Sequence, residues 1–193
     1  LLIHFPNSIV LLNILGASCQ NLNKFNEASK AFRKVININP NDFKGLNNLA
    51  VSLKDSNKID DALLTIDKAL HINPNYAIAI NNKGKILSDL GKIDQALKLY
   101  QKAISIMPQY AEAYNNLGNT YQIKNNYTEA INAYDNALLI KPNYINAYLN
   151  KGNVRKRQGN FKEALKNYKK VIEIDSNFFE AYRNVGDIYH ILN

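Results

Sequence analysis

The stretch "AEAYNNLGNTYQIKNNYTEAINAYDNALLIKPNY", residues 111–144, decides the fold because the rest of the chain repeats its pattern. Consecutive prolines lie 34 residues apart, at Pro6, Pro40, Pro74, Pro108 and Pro142. A single period that includes every proline indicates a repeated structural unit. We number each unit from position 1, so that proline takes position 32; the units begin at Ile9, Phe43, Ala77, Ala111, Ile145 and Phe179.

Each unit predicts two helices joined by a tight turn. Apolar residues at positions 4, 8 and 11, and again at positions 20, 24 and 27, follow helical spacing. Position 8 is Gly or Ala and position 20 is always Ala in the complete units, so we expect the two helices to approach closely. Position 15 carries Asn or Gly, which tolerate turn conformations. We expect position 18 to supply N-caps for the second helix, namely Asn26, Asp60, Asp94 and Thr128.

The unit resembles the tetratricopeptide repeat, a helix-turn-helix of 34 residues with small residues at positions 8 and 20, an aromatic at 24 and proline at 32. The resemblance covers essentially the whole chain. It implies an all-α fold, a right-handed superhelical solenoid of stacked antiparallel helix pairs.

The resemblance also divides the chain. Residues 1–8 are the tail of a preceding repeat, and 179–193 form the first helix of a sixth, truncated repeat. Because the chain lacks an initiator methionine and its sixth unit is interrupted, we expect a longer parent protein. The five complete repeats span 9–42, 43–76, 77–110, 111–144 and 145–178.

An asparagine recurs at position 6 of the first helix. On a helical wheel, positions 2, 6, 9 and 13 form a face separate from positions 4, 8 and 11. In the family, this face lines the concave groove of the superhelix. An Asn amide offers one acceptor and two donors, so it can bind the backbone of any extended peptide. The expected peptide-binding residues are Asn48, Asn82, Asn116, Asn150 and Asn184 at position 6, Asn47, Asn81 and Asn115 at position 5, and Lys85, Asn119 and Asn153 at position 9.

The asparagine ladder, as we call the position-6 residues, is similar to the superhelical repeats of O-linked N-acetylglucosamine transferase. There, asparagines at this position hold the backbone of protein substrates, and the resemblance implies that role for the five position-6 residues. Two other interpretations stay open. The asparagines could bond one another across adjacent helices and serve only as structure, or they could reflect a composition bias, since the chain is very rich in Asn.

Three functions follow from these patterns, in order of preference. The first is a protein–protein interaction scaffold that binds an extended peptide in its groove. The second is the substrate-recruiting arm of a larger enzyme, of glycosyltransferase or sulfotransferase type, whose catalytic domain lies outside this chain. The third is RNA binding, suggested by the net charge of +8 and by lysines at positions 22 and 26. That lysine stripe lacks interleaved aromatics, so we interpret it as a solvated face and expect no nucleic-acid partner.

The sequence predicts neither catalysis nor a cofactor. His4, His71 and His190 share no repeat position, and no metal-ligand spacing or phosphate-binding loop is present. A single cysteine, Cys19, allows no internal disulfide and fits a cytoplasmic location. No segment predicts a membrane span. We expect self-association through the open repeat ends, because terminal repeats normally need a polar cap.

Overall fold

The computed structural model describes residues 4–192, which contain eleven α-helices and no strand. The helices are α1 Ile9–Asn21, α2 Phe25–Ile38, α3 Phe43–Asp55, α4 Ile59–Ile72, α5 Ala77–Asp89, α6 Ile93–Ile106, α7 Ala111–Ile123, α8 Tyr127–Ile140, α9 Ile145–Arg157, α10 Phe161–Ile174 and α11 Phe179–Leu192. Every odd-numbered helix begins at position 1 of a unit, and α2, α4, α6, α8 and α10 end at position 30, before the position-32 residue. The predicted all-α arrangement of helix pairs is confirmed, and the division into numbered repeats stays a prediction.

The turn inside each helix pair uses the left-handed conformation at position 15. The backbone φ angles there are 57° at Asn23, 61° at Asn57, 74° at Gly91, 59° at Asn125 and 72° at Gly159. Only Gly, and to a lesser degree Asn, adopts this region at little cost. The prediction that position 15 forms the turn is therefore confirmed.

The predicted N-caps at position 18 are wrong. The second helices begin at position 17, so Asp60 and Asp94 lie inside the first turn. A carboxylate in the first turn stabilises the helix by interacting with the positive end of the helix dipole, and it is not an N-cap residue. The capping residue is at position 16, and Asn160 shows the bond: its side chain accepts from the backbone N–H of Glu163 at 3.3 Å.

The chain divides into two compact units, Leu1–Leu99 and Tyr100–Asn193. In the first unit, α1 packs on α2, α2 on α3, α3 on α4 and α4 on α5. Its core includes the buried side chains of Phe32, Leu53 and Ile66. Sequential contacts of this kind are those of a repeat solenoid, in which each element buries its apolar face on its neighbours.

The second unit repeats the arrangement with larger core residues. Here α7 packs on α8, α8 on α9, α9 on α10 and α10 on α11. Tyr134 and Tyr168, both at position 24, are fully buried. A Cβ placed on Gly118 would lie 2.5 Å from the Tyr134 ring, and one on Gly152 would lie 2.6 Å from the Tyr168 ring. Small residues at position 8 thus make room for the ring at position 24.

Candidate functional site

The structure places the predicted site residues at different depths. The position-6 side chains of Asn48, Asn82, Asn116 and Asn150 are partly exposed, as are Asn119 and Asn153, and Lys85 is exposed. The position-5 side chains are buried, with exposed fractions of 3% for Asn47, 4% for Asn81 and 5% for Asn115. Asn184 is also buried, at 6% exposed, so the expected exposure of the ladder does not extend to it.

Position-6 asparagines hydrogen-bond to position-5 asparagines of the preceding repeat. In the first unit, Asn82 Nδ2 donates to Asn47 Oδ1 at 2.9 Å. In the second unit, Asn150 Nδ2 donates to Asn115 Oδ1 at 3.1 Å. These bonds satisfy buried carbonyls, which would be costly to leave unpaired. The Oδ1 atoms of Asn82 and Asn150 have no hydrogen bond within residues 4–192 and stay available to a ligand.

The first and last ladder residues have different surroundings. Asn48 Oδ1 accepts from its neighbour Asn47 Nδ2 at 3.3 Å. In the repeat that precedes α11, position 5 is Leu149, so Asn184 cannot form the amide–amide hydrogen bond that Asn82 and Asn150 form. Its Oδ1 accepts instead from Lys156 Nζ at 3.1 Å, and the same ammonium pairs with Asp187 at 3.1 Å. This charged contact occupies Asn184 within the protein.

Core tyrosines orient the position-9 asparagines. The Tyr134 hydroxyl lies 2.8 Å from Asn119 Oδ1 and 3.0 Å from Gln122 Oε1, and its single hydrogen is shared between these two carbonyls in a bifurcated bond. The Tyr168 hydroxyl donates to Asn153 Oδ1 at 2.8 Å. Burial raises the pKa of Tyr134 well above its ordinary value, so the hydroxyl stays protonated, and remains a donor, into the alkaline range. With their carbonyls turned to the core, Asn119 and Gln122 present their NH₂ groups to the surface.

These groups meet in a shallow cleft of about 270 Å³ in the second unit. We call it the ladder cleft; its lining residues are Asn119, Gln122, Ile123, Asn150 and Arg157. It holds amide donors on one side, the Asn150 carbonyl on the other, an Ile123 side chain that is 57% exposed, and the exposed Arg157. The expected peptide-binding residues did not include Gln122, Ile123 or Arg157, although position 13, which holds Ile123 and Arg157, belongs to the same helical face as positions 6 and 9.

The first unit has a smaller counterpart of about 50 Å³, lined by Asn82, Lys85, Lys54 and Asp55 among others. Lys54 Nζ lies 3.0 Å from a carboxylate oxygen of Asp55 and 3.7 Å from one of Asp89. Charged groups that already pair with one another are less available to a ligand. The ladder cleft is therefore the better-formed candidate.

Four family models match the chain. A model described as TPR repeat matches residues 84–123, and three described as tetratricopeptide repeat match 109–177, 31–63 with 65–98, and 10–42. The chain is a tetratricopeptide-repeat protein. A comparison with curated proteins gave no significant match.

Solved tetratricopeptide-repeat structures resemble the chain over most of its length. A crystal structure of MamA is 28% identical, with a TM-score of 0.68, covering 86% of this chain and 97% of that one. TTC0263 from Thermus thermophilus is 19% identical, with a TM-score of 0.84, covering 94% and 99%. YrrB, described as a TPR protein with an unusual peptide-binding site, is 16% identical, with a TM-score of 0.64, covering 94% of both chains.

The tetratricopeptide-repeat family consists of protein-interaction scaffolds and is generally non-catalytic. Within the described part of this chain, no helix is long and apolar enough to cross a membrane. No cluster of three His, Cys, Asp or Glu residues suited to a metal ion occurs between residues 4 and 192.

Proposed function

We propose that this tetratricopeptide-repeat protein is a scaffold that binds an extended segment of a partner protein, with the ladder cleft as its best-formed contact. One observation carries the proposal. The amides of Asn119 and Gln122 present donors and are held by Tyr134 of their own repeat, and the amide of Asn150 presents an acceptor and is held by Asn115 of the preceding repeat.

This arrangement suits a peptide backbone, whose N–H and C=O groups alternate along an extended segment. Asn119 or Gln122 would donate to a ligand carbonyl, and Asn150 Oδ1 would accept from a ligand N–H. Because the amides are already oriented, little conformational entropy is lost when they bind. Each bond would contribute about 1 kcal/mol. Ile123 would contact an apolar side chain of the ligand, and Arg157 a carboxylate.

The ladder role implied by the O-linked N-acetylglucosamine transferase resemblance is part of the proposal for Asn48, Asn82, Asn116 and Asn150. In Asn82 and Asn150, Nδ2 makes the bond between repeats and Oδ1 would accept from a ligand. A structural role and a binding role for these asparagines are therefore compatible. A substrate-recruiting arm of a larger enzyme would use the same surface. The proposal therefore concerns the ligand of these repeats, whatever domain accompanies them.

A phage-displayed library of random peptides of about twelve residues tests the proposal. Peptides are selected on the wild-type chain alone, and each is then tested on the double variant Asn119→Ala/Asn150→Ala. Calorimetric titration of a selected peptide should show affinity at least tenfold weaker for the double variant. The control Asn132→Ala, an exposed position on α8, should bind like wild type. If every selected peptide binds both proteins equally, the proposal is wrong.

The RNA alternative is tested on the same sample with single-stranded RNA as competitor. The ladder cleft holds one cation, Arg157, so peptide binding should depend weakly on salt. RNA that displaces the peptide, with an affinity that falls steeply as salt rises, would favour nucleic-acid binding instead.

A further inference from the structure

A second and larger cleft lies in the first unit, between α2 and α4 and above α3. Its volume is about 730 Å³, within the range of ~300–1,000 Å³ typical of ligand pockets. We call it the α2–α4 cleft; its apolar residues are Ile36, Pro40, Leu46, Leu49, Leu64 and Ile72. It lies between the second helices of two consecutive repeats, so the position-6 and position-9 residues of the ladder do not line it.

The cleft is open because Leu46 occupies position 4. Three later units carry tyrosine there: Tyr114, Tyr148 and Tyr182. Tyr148 packs, half-buried, against the core of the second unit. At the α2–α4 cleft the shorter side chain of Leu46 takes the position of that tyrosine and lines the open space.

The mouth of the cleft is apolar where other repeats are polar. Position 22 is Leu64 here, and its side chain is 59% exposed. The other complete units have Lys30, Lys98, Asn132 or Lys166 at position 22. A single exposed leucine is ordinary. Leu64, however, lines the same cleft as Ile72, which is 37% exposed, and together they form an apolar entrance.

The charge of the cleft is unbalanced. At two other contacts between consecutive repeats, the residue at position 25 forms an ion pair with the residue at position 7 of the next repeat. Asp67 Oδ1 lies 2.6 Å from Lys83 Nζ, and Asp135 Oδ1 lies 2.5 Å from Lys151 Nζ. At the α2–α4 cleft these two positions hold Arg33 and Leu49.

Arg33 therefore has no carboxylate partner at position 7 of the next repeat, where Leu49 stands. Neither Arg33 nor Lys68 forms an ion pair with any residue in the range 4–192, although both line the cleft. The nearby carboxylate of Asp67 is already paired with Lys83. The cleft thus offers two cations to a ligand that supplies the missing carboxylates.

We propose that the α2–α4 cleft binds an acidic peptide segment of a partner protein. The segment inserts large apolar side chains between Leu46 and Leu64 and places carboxylates against Arg33 and Lys68. Charge selects this occupant over a second copy of the chain, which carries a net charge of +8. The proposal is independent of the ladder cleft and adds a second binding surface to the scaffold.

Two fluorescein-labelled pools of synthetic peptides of about twelve residues test the proposal by fluorescence anisotropy. In the acidic pool, glutamate alternates with Leu, Ile, Phe or Met, and in the basic pool lysine replaces glutamate. The acidic pool should bind the wild-type chain with an affinity that falls as salt rises, and the basic pool should bind at least tenfold more weakly.

Two variants locate the site. Leu46→Tyr fills the cleft with the residue found at position 4 in later units, and Arg33→Glu reverses its charge. Each should weaken binding of the acidic pool at least tenfold.

The control Lys166→Glu makes the same change of charge as Arg33→Glu, but at position 22 of the repeat 145–178, and it should bind like wild type. The ladder-cleft variant Asn119→Ala/Asn150→Ala should also retain binding, which separates this site from the proposed function. Circular dichroism and thermal melting confirm that Leu46→Tyr remains folded.

Several outcomes would overturn the proposal. Equal binding of both pools, or undiminished binding by a folded Leu46→Tyr or by Arg33→Glu, would exclude an acidic peptide in this cleft. Loss of binding in Lys166→Glu would indicate a diffuse charge effect. Sedimentation that shows a wild-type dimer, dissociated by Leu46→Tyr, would identify a second copy as the occupant.

Discussion

The hydroxyl of Tyr134 donates a hydrogen bond to Oδ1 of Asn119 at 2.8 Å, which links a buried core residue of α8 to an amide of the ladder cleft. Tyr168 and Asn153 form the same bond at 2.8 Å in the next repeat. The aromatic residue at position 24 therefore fills the core and also fixes the direction of a surface amide. We therefore expect that a substitution at position 24 can redirect an amide of the proposed binding surface without unfolding the repeat.

Tyr134→Phe should weaken peptide binding more than it weakens the fold. The ring is kept, so we expect a loss of only about 1 kcal/mol in the free energy of unfolding. Asn119 and Gln122 lose their common donor and rotate freely, so the affinity for a selected peptide should fall several-fold by calorimetry. Tyr127→Phe is the matched control, because its hydroxyl donates to Asn125 Oδ1 at 2.9 Å outside the cleft. Equal affinities for the two variants would exclude an orienting role for Tyr134.

Asn82→Ala should lower the melting temperature. From the sequence alone, replacing Asn82, Asn116 and Asn150 by Ala is expected to keep or raise it, because Ala is the better helix former. The 2.9 Å bond from Asn82 to the buried Asn47 changes that expectation. An orphaned buried carbonyl costs about 1–3 kcal/mol, which exceeds the gain in helix propensity.

The double variant Asn47→Ala/Asn82→Ala should recover part of the stability lost in Asn82→Ala, since both partners are removed together. A double-mutant cycle by urea denaturation measures this coupling. Additive single effects would mean that the bond does not contribute. The triple variant Asn82→Ala/Asn116→Ala/Asn150→Ala should still bind a selected peptide at least tenfold more weakly, because the Oδ1 acceptors of Asn82 and Asn150 are lost.

Gly118→Ala should destabilise the second unit by about 1–3 kcal/mol, because the added methyl meets the Tyr134 ring at 2.5 Å. Gly186→Ala, at the same repeat position, has nothing within 4 Å of its new Cβ and should be neutral or stabilising. The pair Gly118→Ala/Tyr134→Ile recreates the combination of Ala50 with Ile66 and should regain part of the loss. Equal melting temperatures for Gly118→Ala and Gly186→Ala would contradict this account.

The fold should lose stability in alkali through its buried tyrosines. Burial, followed by the charges of Asp187 and Glu180, raises the pKa of Tyr168 to about 12 in the folded chain, against an ordinary value of 10.0. The stabilisation is fully present below pH 10 and is lost as the pH rises toward 12, because only the unfolded state releases the proton. The slope is at most about 1.4 kcal/mol per pH unit for one group. Urea denaturation from pH 9 to 11 should show a shallower decline for Tyr168→Phe than for wild type.

The exposed apolar side of α11 should promote self-association. Phe179, Tyr182 and Tyr189 are 82%, 47% and 49% exposed, whereas Ile188 is buried. Apolar side chains grouped on one helix favour contact with another surface. Sedimentation of the 193-residue polypeptide should show concentration-dependent association that the Tyr182→Glu/Tyr189→Glu variant reduces. A wild-type monomer at millimolar concentration would exclude such association.

The sequence by itself determined the helix pairs, their period and the left-handed turn at position 15. These features follow from local rules: helical spacing, the limits on proline, and the low cost of Asn and Gly at positive φ. The start of each second helix was missed by the N-cap rule. Lys24 and Lys58 precede helices whose first residue is apolar, and Ile59 packs against the core, so burial rather than capping sets that boundary.

Only the tertiary structure decided how the asparagines are used. The sequence places Asn82 and Asn150 on one helical face, but their hydrogen-bond partners lie 35 residues away. Asn119 likewise depends on a tyrosine 15 residues distant. Which amide atom is consumed inside the protein, and which is left for a ligand, depends on contacts between helices. The α2–α4 cleft has the same origin, because the space beside Leu46 exists only once two repeats have packed together.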